Sequence, residues 1–231
     1  TADRLLLCFN SKRDGGSGHE DIWCSERGSV TERWRPPAPA TALNTSARET
    51  GIALALDGLS LWFSSDRDDR NSLDVFVSQR DHRSATWSAP ERVAELSSDA
   101  DDLVSAVDSE RRTLYLARRQ DEDYDLFVAT RADAAAGWQA AQPLAELNSA
   151  ADESDAYPAA DGRALIFTRD EDLLLAQRRS LGERFAAPQP LAALNSERDD
   201  RDAWSEPDLG YVVLSSDRSG EYRLYEATLE R

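Results

Sequence analysis

Two stretches of the sequence say nearly the same thing: 54-LALDGLSLWFSSDRDDRNSLDVFVSQR-80 and 206-EPDLGYVVLSSDRSGEYRLYEATLER-231. Each runs from an acidic turn through alternating apolar residues to Ser-Ser-Asp-Arg, then through a polar turn into a second alternating stretch. Self-similarity of this kind decides architecture before any other signal, because repeated units stack to bury a shared core. The turn recurs as Asp3-Arg4, Asp57-Gly58, Glu110-Arg111, Asp161-Gly162 and Asp208-Leu209, at a period of roughly 50 residues.

After each turn comes a period-two run: LLLCF, LSLWF, RTLYL, RALIF and GYVVL. Such alternation marks a half-buried strand. A second strand follows in DIWCSER, DVFVSQR, DLFVATR, DLLLAQR and RLYEATL. Next is an aromatic-then-proline segment headed by Trp34, Trp87, Trp138 or Phe185, ending in Asn44-Thr45, Ser97-Ser98, Asn148-Ser149 or Asn195-Ser196. A fourth stretch, ETGIALAL, DLVSAV, SDAYPAA or RDAWSEP, returns to the next acidic turn.

Let the strand before each acidic turn be a, and those after it b, c and d. The connections are too short for crossover helices, so neighbouring strands pair antiparallel. Repeated four-stranded units are propeller blades, whereas solenoid repeats of this length are usually helical. The sequence therefore predicts an all-β fold: a single five-bladed β-propeller over residues 1–231, with units at about 1–43, 44–96, 97–147, 148–194 and 195–231. The first unit lacks strand a and the last lacks strand d. A five-bladed ring with two incomplete blades and a larger ring from which residues have been cut both fit that pattern. The chain has no methionine, so it is expected to begin after processing or to be an excerpt.

With 44 acidic and 27 basic residues, the chain carries a formal charge of −17. That balance repels phosphate backbones, so nucleic acid and anionic membrane surfaces are disfavoured as partners. Basic proteins, cations, neutral sugars and peptides stay open. No apolar run approaches a membrane span. Six Trp, six Tyr and six Phe supply material for a core and argue against disorder.

The repeat resembles the TolB-like family of bacterial envelope β-propellers, a WD-like repeat. The residues that carry the likeness are 44-NTSARETGIALALDGLSLWFSSDR-67, 74-DVFVSQR-80, 87-WSAP-90 and 10-NSKRDGGSGHEDIWCSER-27. The last unit departs most, with Arg223 where the family has Asp, and the third has Glu110-Arg111 for Asp-Gly. The resemblance implies a binding and scaffolding protein of the periplasm or cell surface.

Features common to every unit serve the repeat. The turn arginines Arg13, Arg67, Arg169 and Arg218 are expected to pair with the acidic d–a loops Arg48-Glu49, Asp101-Asp102, Asp152-Glu153 and Asp199-Asp200. Function is sought in what differs. One alternating set on strand a reads Gly51 and Ala53, then Val104 and Ala106, then Asp155 and Tyr157, then Asp202 and Trp204. Strand a lines the channel of a propeller, so Asp155, Tyr157, Asp202 and Trp204 form the candidate ligand site. A carboxylate beside an aromatic suits a sugar or a peptide backbone; inter-blade packing is the competing reading.

Catalysis is the alternative, as a carbohydrate-active, glycosidase-like propeller using Asp155, Asp202 and Glu206 as channel carboxylates. His19 and His82 fall in polar loops, and Gly15-Gly16-Ser17-Gly18 sits in a hairpin turn rather than a nucleophile elbow. No catalytic residue, metal site or cofactor is assigned. Asp121-Glu122-Asp123-Tyr124-Asp125 alternates oxygen ligands as a calcium loop would, but lacks the glycine and distal glutamate of one, and is read as a solvated acidic turn ahead of a calcium site. If Phe9 pairs with Trp23, Cys8 faces Cys24, and either a disulfide or two packed thiols results. The sequence thus predicts an exported, monomeric binding propeller whose partner is an envelope protein segment or glycan.

Overall fold

In the computed structural model, which describes residues 1–68, 72–206 and 209–228, every period-two run becomes a strand. Asp208 of the last acidic turn lies outside the described residues. The first sheet holds β1 (Leu6–Ser11), β2 (Asp21–Glu26) and β3 (Ala38–Pro39). The second holds β4 (Glu49–Leu54), β5 (Ser60–Ser65), β6 (Asp74–Gln79) and β7 (Glu91–Arg92). The third holds β8 (Asp102–Val107), β9 (Thr113–Gln120), β10 (Asp123–Thr130) and β11 (Gln142–Pro143). The fourth holds β12 (Glu153–Pro158), β13 (Ala164–Arg169), β14 (Asp172–Gln177) and β15 (Gln189–Pro190). The fifth holds β16 (Asp200–Ser205), β17 (Tyr211–Ser216) and β18 (Arg223–Thr228).

These sheets are the five blades of a β-propeller, each an antiparallel meander in chain order. Among the described residues, blade 1 carries strands b, c and d, and blade 5 carries a, b and c. Each d strand contributes only two residues of pairing, less than the sequence pattern implied. Three of the four contain proline, which cannot donate to a ladder and so belongs on an outer edge.

Strand a of each blade from the second onward begins with an acid that has no exposed surface: Glu49, Asp102, Glu153 or Asp200. A hydroxyl residue four positions earlier donates to it through both backbone N–H and side chain: Thr45, Ser98, Ser149 or Ser196. A guanidinium from the b–c hairpin completes the socket: Arg67, Arg118, Arg169 or Arg218. The same arginine donates to the carbonyl of Leu43, Leu96, Leu147 or Leu194, ahead of strand a. The Asn-Ser motif thereby has a reason. Asn44, Asn148 and Asn195 accept from and donate to the backbone of Ile22, Leu126 and Leu173 on the preceding blade, while the Ser or Thr after them caps the acid. In blade 3 the socket arginine is Arg118, which the turn pattern missed because the β9–β10 hairpin is two residues longer per strand than its counterparts and places it inside a strand.

The other face has its own fastening. Arg27, Arg80, Arg131 and Arg178 lie over Trp34, Trp87, Trp138 and Phe185 at 4.2, 4.2, 4.2 and 4.4 Å. Each donates through Nε to an a–b turn carbonyl: Arg4, Gly58, Arg111 or Gly162. Those four turn residues and Leu209 all have left-handed backbone, with φ of 57, 76, 56, 64 and 60°. That requirement explains the glycines in two of the acidic turns.

Apolar clusters fill the joints between successive blades. Leu43 and Ile22 meet Leu61 and Phe63 between blades 1 and 2, and Trp62 and Val75 meet Val104 and Leu116 between blades 2 and 3. The later joints are built the same way. The seam between blades 5 and 1 leaves an apolar gap lined by Leu7, Phe9, Val213 and Leu224, and is bridged by polar links. Trp34 Nε1 donates to Glu226 at 3.0 Å, and Arg4 pairs with Glu206 at 3.2 Å while lying 4.7 Å over the Tyr211 ring. In blade 1, Phe9 pairs with Trp23 and Cys8 with Cys24, and the two sulfurs form a disulfide.

Two stability measurements follow. Glu153→Ala removes the carboxylate from a socket whose arginine stays largely enclosed, and a loss of about 2–3 kcal/mol is expected by urea denaturation. A Glu153 variant within error of wild type would show that the socket does not hold the blade. The Cys8→Ala/Cys24→Ala double variant opens a loop of 16 residues. It should lose about 3 kcal/mol, and reducing agent should shift the wild-type midpoint but not the variant's.

Candidate functional site

The a strands β4, β8, β12 and β16 line the propeller axis, and each carries a register irregularity near its third residue. A bulge bends the strand and re-aims a side chain. At this position Gly51, Asp155 and Asp202 have φ of 52, 54 and 55°. Asp is among the few residues that tolerate left-handed backbone, because its short side chain bonds locally. Ser154 Oγ accordingly donates to Asp155 Oδ2 at 2.7 Å. The aspartates thus stand where glycine would fit with less strain.

On the axis lies a cavity of about 630 Å³, lined by side chains from all five blades. Asp155, Tyr157, Asp202 and Trp204 all border it. Solvent reaches Asp202 through the cavity although protein surrounds it. That enclosure pushes the Asp202 carboxyl well above the usual carboxylate range, and the charge of Asp155 and a hydrogen bond to it push further. The pair therefore resists double ionisation. Arg201 sits beside it but is committed to Asp199, donating from Nε at 2.7 Å. Tyr222 also donates to Asp199, and partial burial followed by that bond pushes its hydroxyl up to about 12.

Two residues along from the aspartates, Tyr157 and Trp204 meet with ring centroids 6.1 Å apart, tilted by 58°. Trp204 meets Tyr211 edge-on at 6.5 Å. Burial raises the Tyr157 hydroxyl. The sequence reading thus brought four residues to one cavity, but missed Tyr211 and Arg201. Tyr211 was findable by the same signal, since the equivalent positions in the other units are Leu6, Ser60, Thr113 and Ala164. Arg201 precedes Asp202 on strand a, on the face that was not compared.

The remaining candidates lie apart. Glu206 is held by Arg4 at the blade seam. Ser17 and Gly18 donate backbone N–H groups to Asp21, closing the glycine-rich hairpin. His82 contacts Ser84 in an outer loop. Asp121–Asp125 forms the β9–β10 turn and the start of β10, and among the described residues no three His, Cys, Asp or Glu side chains converge as a metal site.

The class defined so far is a five-bladed propeller with a polar-aromatic axial cavity. No protein-family model and no curated protein matches the sequence. Solved structures do. TolB from Acinetobacter baumannii superposes with a TM-score of 0.63 at 12% identity, over 99% of this chain and 51% of that one. A TolB-type structure from Agrobacterium tumefaciens gives 0.60 at 10% identity, over 97% of this chain and 84% of that one. The chain is thus a TolB-like β-propeller in fold, and it spans about half the length of the Acinetobacter protein.

The carboxyl pair yields a prediction with a definite sign. A carboxyl whose pKa is raised by folding contributes instability that is absent below the unfolded value, near 4, and grows as pH rises above it. Asp202→Asn should therefore raise stability at pH 7, and the gain should vanish below about pH 4. Urea midpoints across pH measure this. A gain independent of pH would show that ionisation of Asp202 is not its source.

Proposed function

We propose that this protein is a non-catalytic binding propeller of the bacterial cell envelope, taking a protein segment or glycan at the axial cavity. The observation that carries the reading is the convergence of Asp155, Asp202, Tyr157 and Trp204 on one cavity of about 630 Å³. Aromatic faces offer apolar contact to a sugar ring or a peptide side chain, and the carboxyl pair accepts hydroxyl or amide donors. Two costly features lie at this one point, left-handed aspartates and like charges forced together. Such strain gathers where binding needs it. The TolB-like fold supports a binding role, and the Cys8–Cys24 disulfide suits an oxidising compartment, which favours export. No helix among the described residues is long and apolar enough to cross a membrane.

The arrangement supports binding over glycoside hydrolysis. Burial and the neighbouring charge of Asp155 hold the Asp202 carboxyl well above the usual carboxylate range, and Asp155 is itself met by Ser154 Oγ at 2.7 Å. Glu206, the third carboxylate weighed, is ion-paired with Arg4 away from them.

Trp204 is the residue to test. Envelope glycans and peptides can be screened by tryptophan fluorescence. For the ligand so found, Trp204→Ala should weaken binding by about 1–3 kcal/mol, as truncating a central aromatic anchor does. Its effect on stability should be smaller. A variant that binds as wild type, or that fails to fold, would remove Trp204 from the site and leave the acidic d–a loops at Asp101 and Asp102 as the next place to look.

A further inference from the structure

At the third residue of strand a, a side chain points toward the next blade. A β-carbon on Gly51 would stand 2.9 Å from the carbonyl oxygen of Val104 and 3.0 Å from its nitrogen, and Val104 is the third residue of β8. Asp155 and Asp202 hold the same two places in β12 and β16, and Asp155 shares the left-handed backbone of Gly51. The charge of Asp155 is therefore set against Asp202 across the joint between blades 4 and 5. Blades 2 and 3 carry no charge at this place.

Among the described residues neither aspartate is ion-paired with a basic side chain. Four basic side chains border the same cavity: Arg4, Lys12, Arg201 and Arg223. Each is committed to another acid. Arg4 pairs with Glu206 at 3.2 Å, Lys12 with Glu20 at 3.5 Å and Arg223 with Glu221 at 3.7 Å, and Arg201 donates to Asp199. At the start of each strand a the protein does the opposite, and gives the enclosed acid a guanidinium of its own. Beside the unmatched pair stand the rings of Tyr157 and Trp204, with centroids 6.1 Å apart. A guanidinium already stacks on an aromatic ring in this cavity, where Arg4 lies 4.7 Å over Tyr211. A carboxylate and an aromatic face together are the surroundings that hold a desolvated organic cation.

We propose that the ligand of the axial cavity is a polypeptide segment that enters through an arginine side chain, with its guanidinium at Asp155 and Asp202 and its methylene stem against Tyr157 and Trp204. The guanidinium supplies here what Arg67, Arg118, Arg169 and Arg218 supply in the sockets. A planar fork matches carboxylates and also stacks on a ring, which a compact ammonium does less well. The cation offsets the like charges as well. Enclosure and the charge of Asp155 hold the Asp202 carboxyl above the usual range, and a bound cation favours its ionised form. A cavity of about 630 Å³ has room for the side chain. This inference rests on the axial-cavity reading and narrows it from a peptide or glycan to a cationic side chain, and the test separates the two.

The probe is a blocked Gly-Arg-Gly peptide, set against Gly-citrulline-Gly, in which a neutral urea group replaces the guanidinium at nearly the same size. NMR titration of the 231-residue chain should show one arginine peptide bound per chain and a shift of the Trp204 indole signal. The citrulline peptide should bind roughly tenfold more weakly or worse, a comparison that needs no variant. Asp155→Asn and Asp202→Asn should each weaken the arginine peptide roughly tenfold. Glu122→Gln, at an exposed acid of the β9–β10 turn, should leave its affinity unchanged, which separates the pair from the net charge of the chain. The thermal midpoints of the asparagine variants report that they are folded. Arginine and citrulline peptides of equal affinity, an Asp202→Asn variant of undiminished affinity, or no binding up to roughly 10 mM arginine peptide would each overturn the proposal. A neutral glycan held through Trp204 while the arginine peptide stays unbound would overturn it too, and would leave the cavity standing as the binding site.

Discussion

Each blade from the second onward depends on one buried carboxylate. Glu49, Asp102, Glu153 and Asp200 have no exposed surface, and each is met by a backbone N–H, a hydroxyl and a guanidinium. Burying a lone carboxylate is costly, and hydrogen bonding on all sides is what makes it tolerable. The socket joins three separate pieces of chain: the d–a loop through Ser or Thr, the first residue of strand a, and the b–c hairpin through Arg. Because that arginine also holds the leucine carbonyl ahead of strand a, the loop between blades is fixed by the same charge. Two of the sockets shift in opposite directions. Asp200 is held below the usual carboxylate range by bonds from Ser216, Arg218 and Ser196 against the cost of burial, whereas burial prevails at Asp102 and raises it. The sockets are alike in geometry and unlike in electrostatic balance, so acid weakens the blades unequally.

The fold was legible because its determinants are local and repeated. Period-two runs gave the strands, and the acidic turns gave the blade count. The facing of Cys8 and Cys24 followed from a single register choice, Phe9 against Trp23. What the pattern did not give was the reason for the turn residues. Gly58 and Gly162 share left-handed backbone with Arg4, Arg111 and Leu209, so the position demands a conformation and not a residue type. Arg118 escaped notice for a related reason. It serves the socket from inside a longer hairpin, and spacing counted from the turn does not reach it.

The cavity was legible only in part, because its residues depart from the repeat rather than follow it. Comparing one alternating face of strand a picked out Asp155, Tyr157, Asp202 and Trp204, yet the comparison was blind to the bulge at which both aspartates sit. A bulge is a backbone event, and the third residue of strand a is Gly51 in blade 2 but Asp in blades 4 and 5. The sequence alone does not distinguish an aspartate chosen for its charge from one chosen for its tolerance of positive φ. Their coupling does. Tolerance would be met by glycine or asparagine without setting the charge of one carboxyl against the other.

The same logic separates blade 1 from the rest. A repeat protein stabilises each unit mainly through its neighbours, so an end unit needs either a polar cap or a partner. The outer seam between blades 5 and 1 has its polar fastening in Trp34, Glu226, Arg4 and Glu206. Among the described residues the inner edge is held at Leu6, by Thr1. It keeps Leu224 exposed, Arg13 without a carboxylate among the described residues, and a strand edge open beside the axial cavity. Arg13 stays with Ser11 and the Phe9 ring, the same local pinning that Arg67 has before it reaches Glu49.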